Sequence, residues 1–203
     1  MNLGNTESAL YSIEGESVAL GPVTSDTRDL IYRWFNDPNV TRTAGVGDGP
    51  WSMERVEEWC KRFTGSDNEA WFLIFERDTG QPIGVAGLRD IDERHRTAEY
   101  AITIGEGSAR GKGYGTEATR LMLDYAFVAR GLHSVLLDVA AYNPGAIRAY
   151  EKAGFQEIGR RHGADLSEGT RWDTVFMQAL ATGFESPVLG AIFVPDQPRE
   201  TDQ

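Results

Sequence analysis

Arg110-Gly111-Lys112-Gly113-Tyr114-Gly115-Thr116 sets three glycines and two cations between a strand-like run, Ala98 to Ile104, and an amphipathic helical run. In the latter, Ala118, Leu121, Met122, Tyr125, Ala126 and Ala129 recur at helical spacing. The loop therefore feeds a helix N-terminus, whose free N–H groups and positive dipole end attract anions. Glycine lets the main chain approach a pyrophosphate, and Arg110 and Lys112 add positive charge. The Walker pattern is excluded twice: Glu106 stands where a Gly is required, and Gly113 follows Lys112 in place of Ser or Thr. The dinucleotide fingerprint also fails, because the run reads G-x-G-x-G and no acidic ribose partner closes a following strand. What remains is R-x-x-G-x-G, which taken alone reads equally well as a surface turn.

A second segment breaks the tie. After a mostly apolar strand candidate, Ser134 to Ala141, comes Asn143-Pro144-Gly145-Ala146-Ile147-Arg148-Ala149-Tyr150-Glu151-Lys152-Ala153-Gly154-Phe155. Asn143 is a good N-cap, Pro144 suits the first helical position, and Gly154 is a natural left-handed stop. The spacing predicts a short helix with Ile147 and Tyr150 on one side.

Together, the two segments resemble the GCN5-related N-acetyltransferase (GNAT) superfamily, in its branch of ribosomal-protein N-terminal and spermidine-type acetyltransferases. Ile91-Asp92 and Arg96-Thr97-Ala98-Glu99-Tyr100-Ala101-Ile102 are similar to that branch's approach to the loop. The likeness runs from about Val18 to Leu180, and it implies an α/β GNAT fold. That fold has a mixed, mostly antiparallel central sheet, two splayed parallel strands and helices on both faces. The splayed strands would be those ending near Ile104 and starting near Ser134. The resemblance also implies acetyl-CoA as cosubstrate and an amine as acceptor. Arg110, Gly111, Lys112, Gly113, Tyr114, Gly115 and Thr116 would meet the pyrophosphate, and Ile102, Thr103 and Ile104 would bind the pantetheine arm as an added strand. Asn143 would cap its helix and contact the cosubstrate, and Tyr150 would point at the sulfur.

An aliphatic ammonium is almost wholly charged at neutral pH, so acetylation needs a carboxylate to remove its proton. Glu99 and Asp138 are the candidates. Asp138 interrupts an apolar run, at a position where the ribosomal-protein branch commonly has the longer Glu. A salt bridge or a substrate-anchoring role is the alternative for both, and Glu99 has Arg89 and Arg96 as candidate partners. For Tyr150 the alternative is a core tyrosine packed on the sheet.

The coarse reading places strands at Val18–Pro22, Ala70–Glu76, Gln81–Ile91, Thr97–Ile104, Ser134–Ala141, Phe155–Arg161 and Trp172–Leu180. Helices are expected at Asp26–Asn36, Ser52–Thr64, Thr116–Arg130 and Pro144–Ala153, with a hairpin turn at Asp78-Thr79-Gly80. The division expected is an N-terminal extension over 1–17, an acetyltransferase domain over 18–181 and a partly disordered C-terminal extension over 182–203. The apolar cluster Val188 to Val194 in the last of these would cover the protein's own core or a partner subunit, so a homodimer is left open.

Composition bounds the partners. A net charge of −11 over 203 residues argues against nucleic acid, whose phosphates need a basic face, and suits a cationic acceptor. No run of 18 apolar residues exists, and Met1 to Ser17 is polar, so neither a membrane span nor a signal peptide is expected and the cytoplasm is the expected location. The single cysteine, Cys60, falls on a helical apolar pattern and reads as structural. His95, His133 and His162 lack metal-ligand spacing, so no metal is expected. Trp34, Trp51, Trp59 and Tyr32 could line an acceptor pocket or pack in the core. Two functions compete at this stage. One is an N-acetyltransferase acting by direct attack of a small cationic amine, an amino sugar or antibiotic, or a protein N-terminus. The other is a non-catalytic acyl-CoA-binding sensor or interaction module. Tyr150 and the strand carboxylates favour the enzyme.

Overall fold

Alternating burial along the strands fixes which helices cover which face. The computed structural model describes residues 10–44, 49–63 and 66–194. The chain opens with β1 (Ile13–Glu14) and β2 (Val18–Pro22), followed by α1 (Arg28–Phe35), α2 (Pro38–Ala44) and α3 (Met53–Phe63). A meander of β3 (Ala70–Glu76), β4 (Gln81–Asp92) and β5 (Thr97–Ile104) precedes α4 (Tyr114–Asp124), which runs on into a π-helical turn at Tyr125–Ala129. Then come β6 (Ser134–Ala140), α5 (Pro144–Ala153), β7 (Gln156–Ser167), β8 (Thr170–Leu180) and the short α6 (Leu189–Ile192). One sheet runs β1-β2-β3-β4-β5-β6-β8-β7, and among the described residues its only parallel pair is β5 with β6. This is the mostly antiparallel GNAT architecture that the resemblance implies.

β4 is buried continuously from Ile83 to Leu88, as a central strand covered on both faces must be. On one face Ile74, Leu88, Tyr100, Val135 and Leu137 pack with Ala118, Leu121 and Met122 of α4, the stripe predicted from helical spacing. On the other, Leu73, Phe75 and Val85 pack with Ile31, Trp34 and Phe35 of α1 and Val56 of α3. Burying an apolar side chain of this size stabilises by about 1.5–3 kcal/mol, so both layers are held by their own core.

Five elements depart from the sequence expectation. The expected helix Asp26–Asn36 begins with a 3-10 turn at Ser25–Thr27, and a further helix, α2, follows it at once. Pro38 starts α2, and Asp37 Oδ1 accepts from the Asn39 N–H at 2.8 Å, a start signal carried by a single Asp-Pro pair. Strands expected to end at Arg161 and to start at Trp172 extend to Ser167 and back to Thr170, so the intervening loop is a hairpin arm. Irregular register between Arg161 and Asp165 hid its alternation. β1 was too short to show a period.

The C-terminal segment covers this chain's own core. Fully buried Asp124 accepts from Ser186 Oγ at 2.6 Å and from the N–H groups of Val188 and Leu189 at 3.0 and 2.8 Å. Leu189 joins the core beside α4, while Ile192, Phe193 and Val194 stay exposed. Residues 1–9 of the expected N-terminal extension, Thr64 at the end of an expected helix, and Asp196–Gln203 lie outside the described residues.

Candidate active site

The site begins where two parallel strands part. β5 and β6 pair through Thr97 with Ser134, Ala98 with Val135 and Glu99 with Leu136, and no further. Beyond Glu99, β5 continues to Ile104 paired only with β4, which leaves the edge from Tyr100 to Ile104 unpaired toward β6. A cavity of about 610 Å³ fills the fork, walled by Ile102–Ile104, the glycine loop, α2, Tyr142 and α5.

Gly113 is the N-cap of α4 at φ +89, a left-handed conformation that a side chain would strain, and a Cβ there would meet no protein atom within 4 Å. The loop thus leaves open space in front of a helix N-terminus. Gly111, Gly113, Gly115 and Thr116 all border the cavity. The cations of the loop behave differently from one another. Arg110 donates to the Ile104 carbonyl at 3.0 Å through Nη2 and to the Asn39 carbonyl at 2.8 Å through Nη1, tying the loop to the end of β5 and to α2. Lys112 and Tyr114 point away from the cavity: Lys112 Nζ lies 3.3 Å from Glu76 Oε1, and the Tyr114 hydroxyl donates to the same oxygen at 2.7 Å. The Tyr114 hydroxyl first, then that of Thr79, and after them Lys112, hold the Glu76 carboxyl below its ordinary range. The side chains of Lys112 and Tyr114 therefore brace the loop against β3.

On the opposite wall, Asn143 Oδ1 accepts from the Ala146 N–H at 3.2 Å, and Gly154 ends α5 at φ +117. The cap uses Oδ1 only, which leaves the Asn143 amide N–H₂ for a ligand. Tyr150, on the cavity side of α5, packs edge-on against Tyr100 and Phe155 with ring centroids 6.2 and 6.0 Å away. Burial, and after it the charge of Asp138, push its hydroxyl up to about 12, so it carries its proton at neutral pH.

Glu99 and Asp138 share the sheet face opposite α4, since Glu99 pairs in register with Leu136 and Asp138 lies two residues on. Arg89 joins them: its Nε is 2.8 Å from Glu99 Oε2, and its Nη2 is 4.0 Å from Asp138 Oδ1. Glu99 therefore has the ion-pair partner named among its alternatives, while Arg96 Nε donates instead to the Gly131 carbonyl. Asp138 is the more open of the two carboxylates, with 47% of its side chain exposed.

Trp34 and Trp51 are buried in the second core and Trp59 packs against it, so none of them, nor Tyr32, lines the cavity. Sequence reasoning missed Val40, Arg42 and Thr43 of α2, together with Tyr142, Arg148 and Lys152. Arg148 and Lys152 carried a usable signal, two cations four apart on the helix that bears Tyr150. The α2 residues carried none, because α2 itself was not foreseen. Among the described residues, no group of three or more His, Cys, Asp or Glu is placed to hold a metal ion. Among them too, no helix is long and apolar enough to cross a membrane.

Residues 18–156 match the family model described as acetyltransferase (GNAT) domain. Spermidine N(1)-acetyltransferase of Escherichia coli is 38% identical over 149 residues, which is 70% of this chain and 75% of that protein. Its counterpart from Vibrio cholerae is 28% identical over 155 residues, 76% of this chain and 82% of that protein. The crystal structure of the Vibrio cholerae spermidine N-acetyltransferase in complex with CoA and spermine superposes with a TM-score of 0.76 at 26% identity, covering 84% of this chain and 99% of that one.

Proposed function

The chain belongs to the GNAT acetyltransferase family as an acetyl-CoA-dependent N-acetyltransferase, and on that premise we propose that its acceptor is the primary amine of a small cationic molecule, attacked directly with no acetyl-enzyme. The observation that carries this reading is the fork: an unpaired edge of β5 leads from an open glycine loop to a protonated tyrosine and an exposed carboxylate. Two of the relatives are spermidine acetyltransferases, so polyamines head the candidates, ahead of amino sugars, antibiotics and protein N-termini. The net charge of −11 supports attraction of a cation, with a salt-sensitive rate.

Each residue has a proposed part. The N–H groups of Gly111, Gly113, Gly115 and Thr116 hold the pyrophosphate at the start of α4, where the helix dipole adds positive potential. Arg42, Arg148 and Lys152 border the same cavity without an ion pair among the described residues and offer further charge to phosphate. Backbone groups of Ile102 and Thr103 take the pantetheine amides, Ile104 already giving its carbonyl to Arg110. The Asn143 amide adds a donor. Asp138 removes the ammonium proton, directly or through one water, and the freed nitrogen lone pair attacks the thioester carbonyl. As the C–S bond breaks, the Tyr150 hydroxyl gives its proton to the sulfur, and the second proton shed by the new amide nitrogen returns through solvent to the tyrosinate. Cys60 is half-buried on α3 and burial raises its thiol, so it supports no covalent route.

The test is thiol release from acetyl-CoA with a panel of amines, followed by product mass. Turnover of cationic amines with an unmodified intact protein mass is expected. Binding of acetyl-CoA without turnover of any amine would instead favour an acyl-CoA sensor of the same fold. Replacement of Asp138 by Asn should depress the rate at neutral pH and let it recover toward the pKa of the free amine, where no base is needed.

A further inference from the structure

Arg89 takes part in neither the glycine loop nor the tyrosine wall, yet it stands at the point where β5 and β6 separate. It lies opposite Glu99 in the β4–β5 register, and immediately afterwards that register slips between Arg89 and Asp92. Asp90 takes φ +50 there, a conformation that few non-glycine residues adopt. Such bulges bend a strand and re-aim its side chains, and they recur beside active sites. The guanidinium reaches Glu99 at 2.8 Å and Asp138 at 4.0 Å, so one cation spans two carboxylates from two other strands.

The charge count on this face is short. Two carboxylates and one guanidinium leave a single net negative charge. The same face also carries Glu69, which pairs with Arg62 and accepts from Trp71 Nε1, Asp165, which accepts from Thr174 Oγ1, and Arg161 of β7, in register with Thr174 two strands from Asp138, while Arg42 of α2 and Tyr150 of α5 border the neighbouring cavity. Glu69 is answered by Arg62, Asp165 is offset by the Arg161 cation on its own strand, and Arg42 adds no negative charge, so the balance at the fork stays one negative charge. Glu99 is committed to Arg89 by the shorter contact, and Asp138 is the carboxylate left to meet an ammonium.

We propose that Arg89 is a specificity-determining residue of the acceptor site: it neutralises Glu99, leaves Asp138 to receive one ammonium, and turns any further positive charge of the acceptor away from β4. This rests on the acetyl-transfer reading above. A short diamine, whose second ammonium cannot escape the guanidinium, is therefore a poorer acceptor than a monoamine of the same length. Unit charges some 10 Å apart near a protein surface interact strongly enough to change a rate constant about tenfold, and salt screens this over a similar distance.

The experiment compares kcat/KM for 1,4-diaminobutane and butylamine by thiol release at low ionic strength. Arg89→Met should raise the diamine to monoamine ratio about tenfold over the unsubstituted enzyme, chiefly through KM for the diamine, and the gain should shrink in 0.5 M salt, roughly a 4 Å screening length. Arg89→Lys, which keeps the charge, should leave the ratio where it was. The double variant Arg89→Met with Glu99→Gln restores one net negative charge and should bring the ratio back. A packing role alone would lower both amines together and would not be repaired by removing Glu99. An unchanged ratio in an Arg89→Met protein that still binds acetyl-CoA would overturn the inference, as would failure of the double variant to restore it. Should Arg89→Met not fold, Glu99→Gln alone decides: it leaves Arg89 unopposed and must lower the ratio. If the unsubstituted enzyme acetylates neither amine, the proposal of a small cationic acceptor fails instead, a separate and recognisable result.

Discussion

One wall of the fork, the glycine loop with α4 and α5, takes its backbone shape from local turns and caps and is then braced by Arg110, Lys112 and Tyr114, whereas the other is assembled from segments far apart in the chain. On the first, Gly113 starts α4 and Asn143 and Gly154 bound α5, each acting within a few residues of itself. On the second, the Tyr142 hydroxyl donates at 3.4 Å to the Arg42 carbonyl 100 positions away, and Trp172 of the β7–β8 arm packs edge-on against Tyr142 at 6.0 Å. The first wall presents backbone donors whose placement is fixed before any ligand arrives, which suits a cosubstrate of constant structure. The second presents side chains on elements that can change one at a time, which suits the side of the fork proposed for the acceptor.

Breaking the first wall should cost most. Gly113→Val places a branched side chain at φ +89 and in the space before the helix N-terminus, and calorimetry should find affinity for acetyl-CoA reduced at least 100-fold in a folded protein. Undiminished binding would rule out the glycine loop as the pyrophosphate site. Tyr150→Phe should leave KM for acetyl-CoA nearly unchanged and lower kcat by about 100-fold, the scale of a lost general acid. Equal loss in both parameters would make Tyr150 a packing residue.

A third change probes the back of α4, which belongs to neither wall. Asp124→Asn puts a neutral amide where a buried carboxylate accepts three bonds, and stability should fall by about 1–3 kcal/mol. That is a drop in Tm of about 3–10 °C with activity per folded molecule retained. On the second wall the effects should be smaller. Trp172→Ala should raise KM for the acceptor several-fold, about 1 kcal/mol, without changing KM for acetyl-CoA. The reverse pattern would mean that the two walls do not divide the substrates.

The smallest effect is alkaline. The native state keeps the Tyr150 proton up to about 12, whereas an unfolded tyrosine releases it near 10. Between those values the native state binds more protons, so stability is complete below pH 10 and falls as pH rises through the window. Tyr150→Phe should lose less stability across it than the unsubstituted protein, by denaturant titration at pH 9 and 11.

Elements whose signals are local were legible from the residues alone. Gly113, Asn143, Pro144 and Gly154 each dictate a backbone conformation in place, and the apolar stripe of α4 repeats often enough to fix its buried face, so the α/β class and the open glycine loop before α4 were legible from residues near one another. Tertiary structure alone decided the rest. That Lys112 and Tyr114 turn to Glu76 depends on where β3 lies, and that Glu99 meets Arg89 depends on the register of β4 beside its bulge. The hairpin arm escaped notice because its irregular register breaks the period of two on which strand recognition rests. Ion pairs and cavity walls form between residues whose distance along the chain carries no information about their distance in space, and only the packed sheet brings them together.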